Sequence, residues 1–224
     1  MLRSEDWKAW ISGKKRALWI HGIPGAGKTV LASHLIEAVK TQCDNFELEH
    51  TERKAAHVYY YCYFGHDTDE ASPFLKWTIR QLCRRMDLLP AELYKLYKNG
   101  ERPTLADLLN LLEIVAKPFE YVYIMLDAID ESMPRSDLLK VLRDIITDPR
   151  FGKIRVLATS REYIDIEEAM KEIAAPISMR NPLLDEDIRL FVRAQLRTHQ
   201  KLRLWSPSVQ DEALEALSAG AKGM

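Results

Sequence analysis

The residues with the clearest chemistry lie between positions 22 and 29, where the sequence reads GIPGAGKT. The spacing of Gly22, Gly27, Lys28 and Thr29 matches the pattern G-x-x-x-x-G-K-[ST] at every fixed position. Glycines allow successive backbone N–H groups to wrap around a phosphate, and the N-terminus of a following helix adds partial positive charge. We therefore predict a phosphate site, with Lys28 at the β- and γ-phosphates and the Thr29 hydroxyl as a ligand of Mg²⁺.

A second group of charged residues, Asp127, Asp130 and Glu131, follows an apolar run later in the chain. A phosphate-bound Mg²⁺ needs a carboxylate at the end of a neighbouring strand, and we assign that role to Asp127. Asp130 and Glu131 would orient or deprotonate a water that attacks the γ-phosphate. An acidic loop of this kind can also be a helix cap or a solvated turn, but the glycine-rich loop upstream favours the catalytic interpretation.

A third candidate is Arg161, which follows the run Val156–Ser160 together with a pair of hydroxyl residues. The carboxyl ends of parallel strands meet at one edge of a sheet, so this arginine is expected to face the same crevice as the phosphates. Its planar guanidinium suits recognition of a γ-phosphate. The alternative is an arginine that pairs with Glu162 or with solvent at the end of a strand.

The elements that must position these residues are five short runs rich in β-branched and aromatic residues, separated by segments of helical periodicity. This alternation is typical of a parallel sheet with helices on both faces. We therefore predict an α/β fold with five parallel strands at Ala17–His21, His57–Phe64, Tyr121–Leu126, Ile154–Thr159 and Ala175–Met179.

The helices are predicted from apolar spacing and from capping residues. They are Thr29–Val39, a helix capped by Ser72 with Pro73 in its first turn, one opened by Thr104 with a capping box at Asp107, one that begins at Ser136, Asp185–Leu196, and one that runs from Ser206-Pro207 to Leu217. We predict a nucleotide-binding domain at residues 1–180 and the start of a helical subdomain at 181–224, whose apolar face needs further packing partners.

Composition limits the choice of partners. Lysine and arginine (32) nearly balance aspartate and glutamate (33), so the formal net charge of −1 gives no field for attraction to nucleic acid or to an anionic membrane. The three cysteines have no C-x-x-C spacing, and no apolar stretch approaches the length of a transmembrane helix. We predict a cytoplasmic protein with neither nucleic acid nor membrane as a partner.

Two tryptophans ahead of the first strand, Trp7 and Trp10, allow two interpretations. Their spacing would let them cover a purine base as an aromatic lid. The alternative, which we favour, is ordinary packing of a short N-terminal helix. Cys62 alternates with tyrosines along a strand and is interpreted as a core residue.

The order of these pieces resembles one family. The segments ALWIHGIPGAGKTVLAS, VYYYCYF, SPFLKWTIRQLC, YVYIMLDAIDES and VLATSRE are similar to the NACHT domain of STAND-class P-loop NTPases, in particular the large fungal NLR-like receptors. The resemblance extends over about residues Trp7 to Leu196. It implies a P-loop NTPase fold related to AAA+ proteins.

The resemblance also implies a regulated switch in signal transduction, which holds ADP or GDP, exchanges it for ATP or GTP with Mg²⁺, self-associates and hydrolyses slowly. Lys28 and Thr29 would have the Walker A roles, Asp127 the Mg²⁺ role, Asp130 or Glu131 the role at the catalytic water, and Arg161 the sensor 1 role. The nucleotide contacts would come from the loop and the first helical residues, Gly22, Gly25, Ala26, Gly27, Lys28, Thr29 and Val30. Effector, winged-helix and repeat domains are expected outside these 224 residues.

Other functions remain open at this point, as does the choice between adenine and guanine. One is a nucleotide-dependent interaction scaffold without useful turnover. A second is a P-loop kinase that acts on a small molecule or a nucleoside, and a third is an origin-type DNA-binding AAA+ protein, which the balanced charge disfavours.

Overall fold

The computed structural model describes residues 1–50, 52–100, 102–179 and 182–221, without the side chains of Tyr97, Asn99, residues 182–187 and residues 219–221. The chain forms two compact units. Unit 1 comprises residues 1–21 and 28–177, and unit 2 comprises residues 22–27 and 178–224. The domain boundary predicted at 180/181 falls on residues outside this description and stays a prediction.

A five-stranded sheet confirms the predicted α/β fold, and its strand order is β2-β3-β4-β1-β5. The β1–β4, β2–β3 and β3–β4 pairs are parallel. All seven residues of β4 are buried, as expected for a strand covered on both faces. The strands are β1 (Ala17–His21), β2 (Lys54–Tyr61), β3 (Phe119–Asp127), β4 (Ile154–Ser160) and β5 (Ala175–Ser178).

The second strand begins and ends three residues earlier than predicted. Lys54 already pairs with Phe119 of β3, and the pairing ends at Tyr61, opposite Asp127. Phe64, predicted as the last strand residue, lies instead in a 3₁₀ turn, Phe64–His66. The aromatic residues of the sequence shifted the prediction towards the C-terminus, whereas the bounds of β2 follow its pairing with β3.

Among the described residues, every predicted helix is present, including the short N-terminal helix that carries Trp7 and Trp10. The helices Ala91–Asn99 and Ile164–Lys171 were not predicted. The helices are α1 (Glu5–Ile11), α2 (Lys28–Glu49), α3 (Ala71–Cys83), α4 (Ala91–Asn99), α5 (Leu105–Ala116), α6 (Ser136–Thr147), α7 (Ile164–Lys171), α8 (Pro182–Thr198) and α9 (Pro207–Ala221).

The predicted start of α3 is wrong, whereas that of α5 is confirmed. Glu70, not Ser72, is the N-cap residue of α3, and Pro73 is the third helical residue, where a missing N–H costs no helical hydrogen bond. Thr104 and Asp107 form the predicted capping box. Three helices also run further than predicted: α2 continues to Glu49, α8 spans Pro182–Thr198 instead of Asp185–Leu196, and α9 passes Leu217 to Ala221.

The two N-terminal tryptophans pack into unit 1. Trp10 is fully buried and Trp7 is nearly so, with relative exposures of 0% and 7%. The Trp10 Nε1–H donates a hydrogen bond to the carbonyl of Val156 in β4 at 2.9 Å. This burial confirms that they are packing residues. Cys62 is also buried, as predicted.

No helix within the described ranges is long and apolar enough to cross a bilayer.

His57 in β2 makes unit 1 sensitive to acid. Arg85 Nη2 donates a hydrogen bond to His57 Nδ1 at 3.0 Å, and burial together with the Arg85 charge lowers the pKa of His57 to about 4. As the pH falls below about 6.5, the ordinary pKa of histidine, His57 therefore binds a proton in the unfolded chain before it does so in the folded chain. We expect this residue to reduce the free energy of unfolding by at most about 1.4 kcal/mol per pH unit between about pH 6.5 and 4, and by less where solvent screens the partly exposed ring.

Urea denaturation over that pH range tests this prediction. The His57→Gln variant should lose less stability on acidification than the wild type. The exposed His34 offers a matched control, and His34→Gln should keep the wild-type slope. Equal slopes for wild type and His57→Gln would contradict the prediction.

Candidate functional site

The predicted phosphate loop occupies residues 22–27, between β1 and the first residue of α2, Lys28. Gly25 and Gly27 have φ angles of +77° and +82°, in the left-handed region that other residues adopt only at a cost. A Cβ on Gly27 would have no atom within 4 Å, so its backbone conformation, not lack of space, requires glycine. Thr29 and Val30 follow in the first turn of α2, and Val30 is 74% exposed.

At the end of β3, Asp127 is held by a residue of the neighbouring strand β4. The Thr159 hydroxyl donates a hydrogen bond to Asp127 Oδ1 at 2.6 Å and accepts one from the Ala128 backbone N–H at 2.9 Å. Ala128 has a φ angle of +58°, which turns the chain sharply after the strand. The Asp127 carboxylate is therefore fixed in orientation where the acidic loop begins.

Thr159→Val should lower the free energy of unfolding by about 1–3 kcal/mol, because a buried carboxylate and a backbone N–H both lose a partner. Asp127 is only 4% exposed, so water cannot fully replace that partner. The Thr159→Ser variant retains the hydroxyl and should retain most of the stability. Urea denaturation measures both, and equal losses in the two variants would contradict the double hydrogen bond.

Asp130 engages Arg161 through both of its carboxylate oxygens. Oδ1 accepts a hydrogen bond from the Arg161 backbone N–H at 3.0 Å, and Oδ2 lies 3.2 Å from Arg161 Nε. The Asp130 side chain is 5% exposed and that of Arg161 44%. The sequence also allowed Arg161 to pair with Glu162. In the structure Arg161 contacts Asp130, and Glu162 Oε1 lies 2.9 Å from His21 Nδ1.

Arg135, which the sequence analysis missed, ties the same two loops together. Its Nε and Nη2 donate to the two carboxylate oxygens of Asp165 at 2.6 and 3.2 Å, and its Nη1 donates to the Asp130 carbonyl at 2.9 Å. The hydrogen bond from Arg135 holds the pKa of Asp165 below its usual range. Thirty residues separate the pair, so no local pattern in the sequence could have indicated it.

Glu131 differs from Asp130 in its surroundings. Both line a cleft of about 320 Å³, together with Arg135, Arg161 and Tyr163. The Glu131 side chain is half-buried and makes no hydrogen bond to any residue that the structure describes. Of the two acidic residues proposed for the catalytic water, Glu131 therefore has the carboxylate that is not already engaged.

Lys28 lies within the electrostatic field of these groups. Burial lowers the pKa of Lys28, and the charges of Asp130 and Asp127 partly offset that effect, while Arg161 adds to it. Four predicted site residues of unit 1 therefore interact electrostatically. They are Lys28, Asp127, Asp130 and Arg161.

The donor set fits a hard divalent cation. Thr29 and Asp127 offer oxygen atoms, which Mg²⁺ prefers, and Mg²⁺ normally completes its shell with water and phosphate oxygens. Within the described ranges, no three His, Cys, Asp or Glu side chains form a metal site of their own.

A further buried acid, Glu70, connects the tip of β2 to the acidic loop and was also not predicted from the sequence. Its carboxylate, fully buried, accepts hydrogen bonds from the Tyr60 hydroxyl and, at 3.2 Å, from the Tyr63 backbone N–H, and its Oε1 lies 2.7 Å from His66 Nδ1. The Glu70 backbone N–H donates to Ser132 Oγ at 3.1 Å. Glu70 therefore fixes the turn that carries Phe64 into the cleft beside Glu131.

Two solved structures share this fold. The ORC1 protein of Aeropyrum pernix in complex with DNA superposes with a TM-score of 0.57 at 13% identity, over 97% of this chain and 53% of that one. The ORC2 protein of the same organism, in ADPNP and ADP complexes, gives a TM-score of 0.52 at 16% identity, over 97% of this chain and 56% of that one. The chain spans about half the length of each, and the fold is that of the P-loop NTPases.

The sequence itself matches a family model described as nephrocystin 3, N-terminal, over residues 1–161. The chain belongs to this family, and the resemblance to NACHT and STAND-type P-loop NTPases is confirmed. A comparison with curated proteins finds no significant match.

Proposed function

We propose that this chain binds the Mg²⁺ complex of a purine nucleoside triphosphate and hydrolyses it slowly, as the switch module of a larger signalling protein. The observation that carries the proposal is the convergence of charges in unit 1. Lys28, directly after the glycine-rich loop, interacts electrostatically with Asp127, Asp130 and Arg161, which stand at the carboxyl ends of β3 and β4. Family membership and fold support the same class of protein.

Each residue has a distinct task in this proposal. Mg²⁺, when bound, would supply positive charge that offsets the negative charge of the β- and γ-phosphates. Thr29 and Asp127 would hold the ion, and the Thr159 hydrogen bond keeps Asp127 in one orientation. Lys28 binds phosphate oxygens as a point charge, and Glu131 orients the attacking water and accepts its proton.

The Asp130–Arg161 pair supports slow hydrolysis. Asp130 contacts the guanidinium of Arg161 through Nε, and its negative charge offsets part of the positive charge that Arg161 could offer to the γ-phosphate. Asp130 therefore competes with the phosphate for the same cation. We assign Asp130 a positioning role, and this pair favours long-lived nucleotide states over rapid turnover.

An interaction scaffold without turnover is a second candidate, favoured by the surface around the cleft. Phe64 and Met133 line the cleft and are 69% and 53% exposed. Ile164, which follows the lining residue Tyr163 in the chain, is 76% exposed. Exposed apolar groups of this size mark interaction surfaces. Nucleotide binding would then order a docking surface or a self-association surface, with hydrolysis secondary.

The experiment that tests the proposal is extraction and chromatographic identification of the nucleotide that copurifies with the protein. A stoichiometric ADP or GDP would support the switch and settle the base. Two further assays address the alternatives. Transfer of phosphate to a nucleoside or metabolite, without release of free phosphate, would favour a kinase. Salt-sensitive retention of the protein on DNA would favour an origin-type function. A protein that holds no nucleotide and fails to bind added Mg²⁺-ATP or Mg²⁺-GTP would contradict the proposal.

A further inference from the structure

A cleft of about 640 Å³ lies among α3, α4 and α5 in unit 1, and none of the nucleotide-site residues lines it. Ile79, Leu108 and Leu111 line its interior and are only 3–4% exposed, so the cleft reaches the hydrophobic core. Leu89, at 63% exposure, lies at its surface end. The proposed nucleotide function makes no use of this space.

A row of cations borders the cleft. Lys76 and Arg80 on α3 and Arg84, the C-cap residue of α3, follow one another at intervals of four residues. This spacing places them on one side of the helix, and all three are exposed lining residues. None forms an ion pair with a carboxylate of the described residues. The Arg80 guanidinium lies over the Trp77 ring, with 5.5 Å between its Cζ and the ring centroid.

The described lining contains no acidic residue. The cleft therefore combines an apolar interior with an edge of positive charge. Its volume lies within the range of roughly 300–1,000 Å³ that is usual for small-molecule sites. A purely apolar ligand would leave the cations unmatched, and an acidic protein helix would cover the edge without filling the interior between Ile79 and Leu111.

We propose that this cleft binds a long-chain anionic amphiphile. Its hydrocarbon chain would lie along the leucines of α4 and α5, and its carboxylate or phosphate headgroup would lie at Lys76, Arg80 and Arg84. This site is separate from the nucleotide site, so the two proposals stand or fall independently.

Cys83 provides a direct report of occupancy, because it lines the cleft. It is half-buried, whereas Cys43 and Cys62 are buried, with exposures of 0% and 5%. Burial raises the pKa of all three thiols, and raises that of Cys43 to about 12. Alkylation of the native protein at mildly alkaline pH should therefore occur first at Cys83, and mass spectrometry of peptides gives its rate.

The probes are dodecanoate and dodecyl phosphate, each below its micellar concentration, with dodecyltrimethylammonium as a cation of equal chain length. We expect at least one of the anions to slow alkylation of Cys83 by about tenfold once its concentration is ten times its dissociation constant. The cation should give little protection. Comparison of the two anions distinguishes a fatty-acid-like ligand from a lipid-phosphate-like one.

Charge-neutralised variants test the headgroup site. The triple variant Lys76→Gln, Arg80→Gln, Arg84→Gln should lose the protection. A control triple variant, Lys8→Gln, Lys140→Gln, Lys171→Gln, removes the same charge from lysines that are 59–74% exposed elsewhere in unit 1 and should retain it. Melting temperatures with and without probe show that both remain folded.

Three results would overturn the proposal. The first is that neither anion protects Cys83 from alkylation. The second is that the cation protects Cys83 as well as the anions do. The third is that protection persists in the triple variant of Lys76, Arg80 and Arg84. Protection by an acidic amphipathic peptide, but by neither anion, would also overturn it and would assign the cleft to a protein partner.

Discussion

Replacement of Lys28 by alanine is expected to weaken the binding of Mg²⁺-nucleotide by about 100-fold or more, because hydrogen bonds to charged groups contribute about 1.5–3 kcal/mol each. The ammonium group follows the glycine-rich loop directly and lies in the field of Asp127 and Asp130. Without the Lys28 ammonium group, one positive charge fewer would offset the repulsion between the phosphates and the carboxylates of Asp127 and Asp130. A fluorescent triphosphate titrated in the presence and absence of Mg²⁺ measures the effect.

Lys40 on the same helix provides the matched control. It is exposed, and its Nζ lies 3.9 Å from Glu37 on the helix surface. Lys40→Ala should bind nucleotide like the wild type and unfold at a similar urea concentration. Wild-type affinity in Lys28→Ala would show that the phosphate site has been assigned to the wrong residues.

The second large effect is expected for Glu131→Gln, which should reduce the rate of γ-phosphate cleavage by about 100-fold and leave nucleotide affinity nearly unchanged. Glutamine keeps the size of the side chain but cannot accept the proton of the attacking water. Glu131 lines the cleft without a hydrogen bond to the described residues, so its replacement disturbs few contacts. Single-turnover release of phosphate measures the chemical step directly.

Asp130→Asn separates the two acidic residues. This change weakens the hold on Arg161, so we expect the variant to prefer triphosphate over diphosphate more strongly than the wild type does. If instead Asp130→Asn abolished cleavage and Glu131→Gln did not, the two roles would be reversed. Wild-type turnover in both variants would favour the scaffold without catalysis.

The parts of the molecule that follow local rules were predictable from the sequence. The glycine-rich loop needs a strand before it and a helix after it, and the structure has both in β1 and α2. The capping box at Thr104 and Asp107 depends on residues three apart, so its pattern indicated the correct helix start.

The parts that depend on distant partners were not predictable. At the start of α3, the carboxylate of Asp69 accepts hydrogen bonds from the backbone N–H groups of Ala71 and of Asp137, in another element. These contacts favour a helix that begins before Ser72, although a Ser-Pro pair is a common start signal. The Arg135–Asp165 pair and the hydrogen bond from Thr159 to Asp127 likewise join residues that are about 30 positions apart in the sequence and meet only in the folded chain.

The Asp130–Arg161 pair also affects the protein after its ligand departs. A guanidinium that receives a phosphate is left as an uncompensated charge when the phosphate leaves, unless another anion replaces it. Asp130 is a resident counterion for Arg161, since it belongs to the protein and already contacts the arginine. Arrival and departure of a phosphate would then exchange one anion for another at Arg161, so the fold around this arginine has a charge balance that does not depend on the ligand.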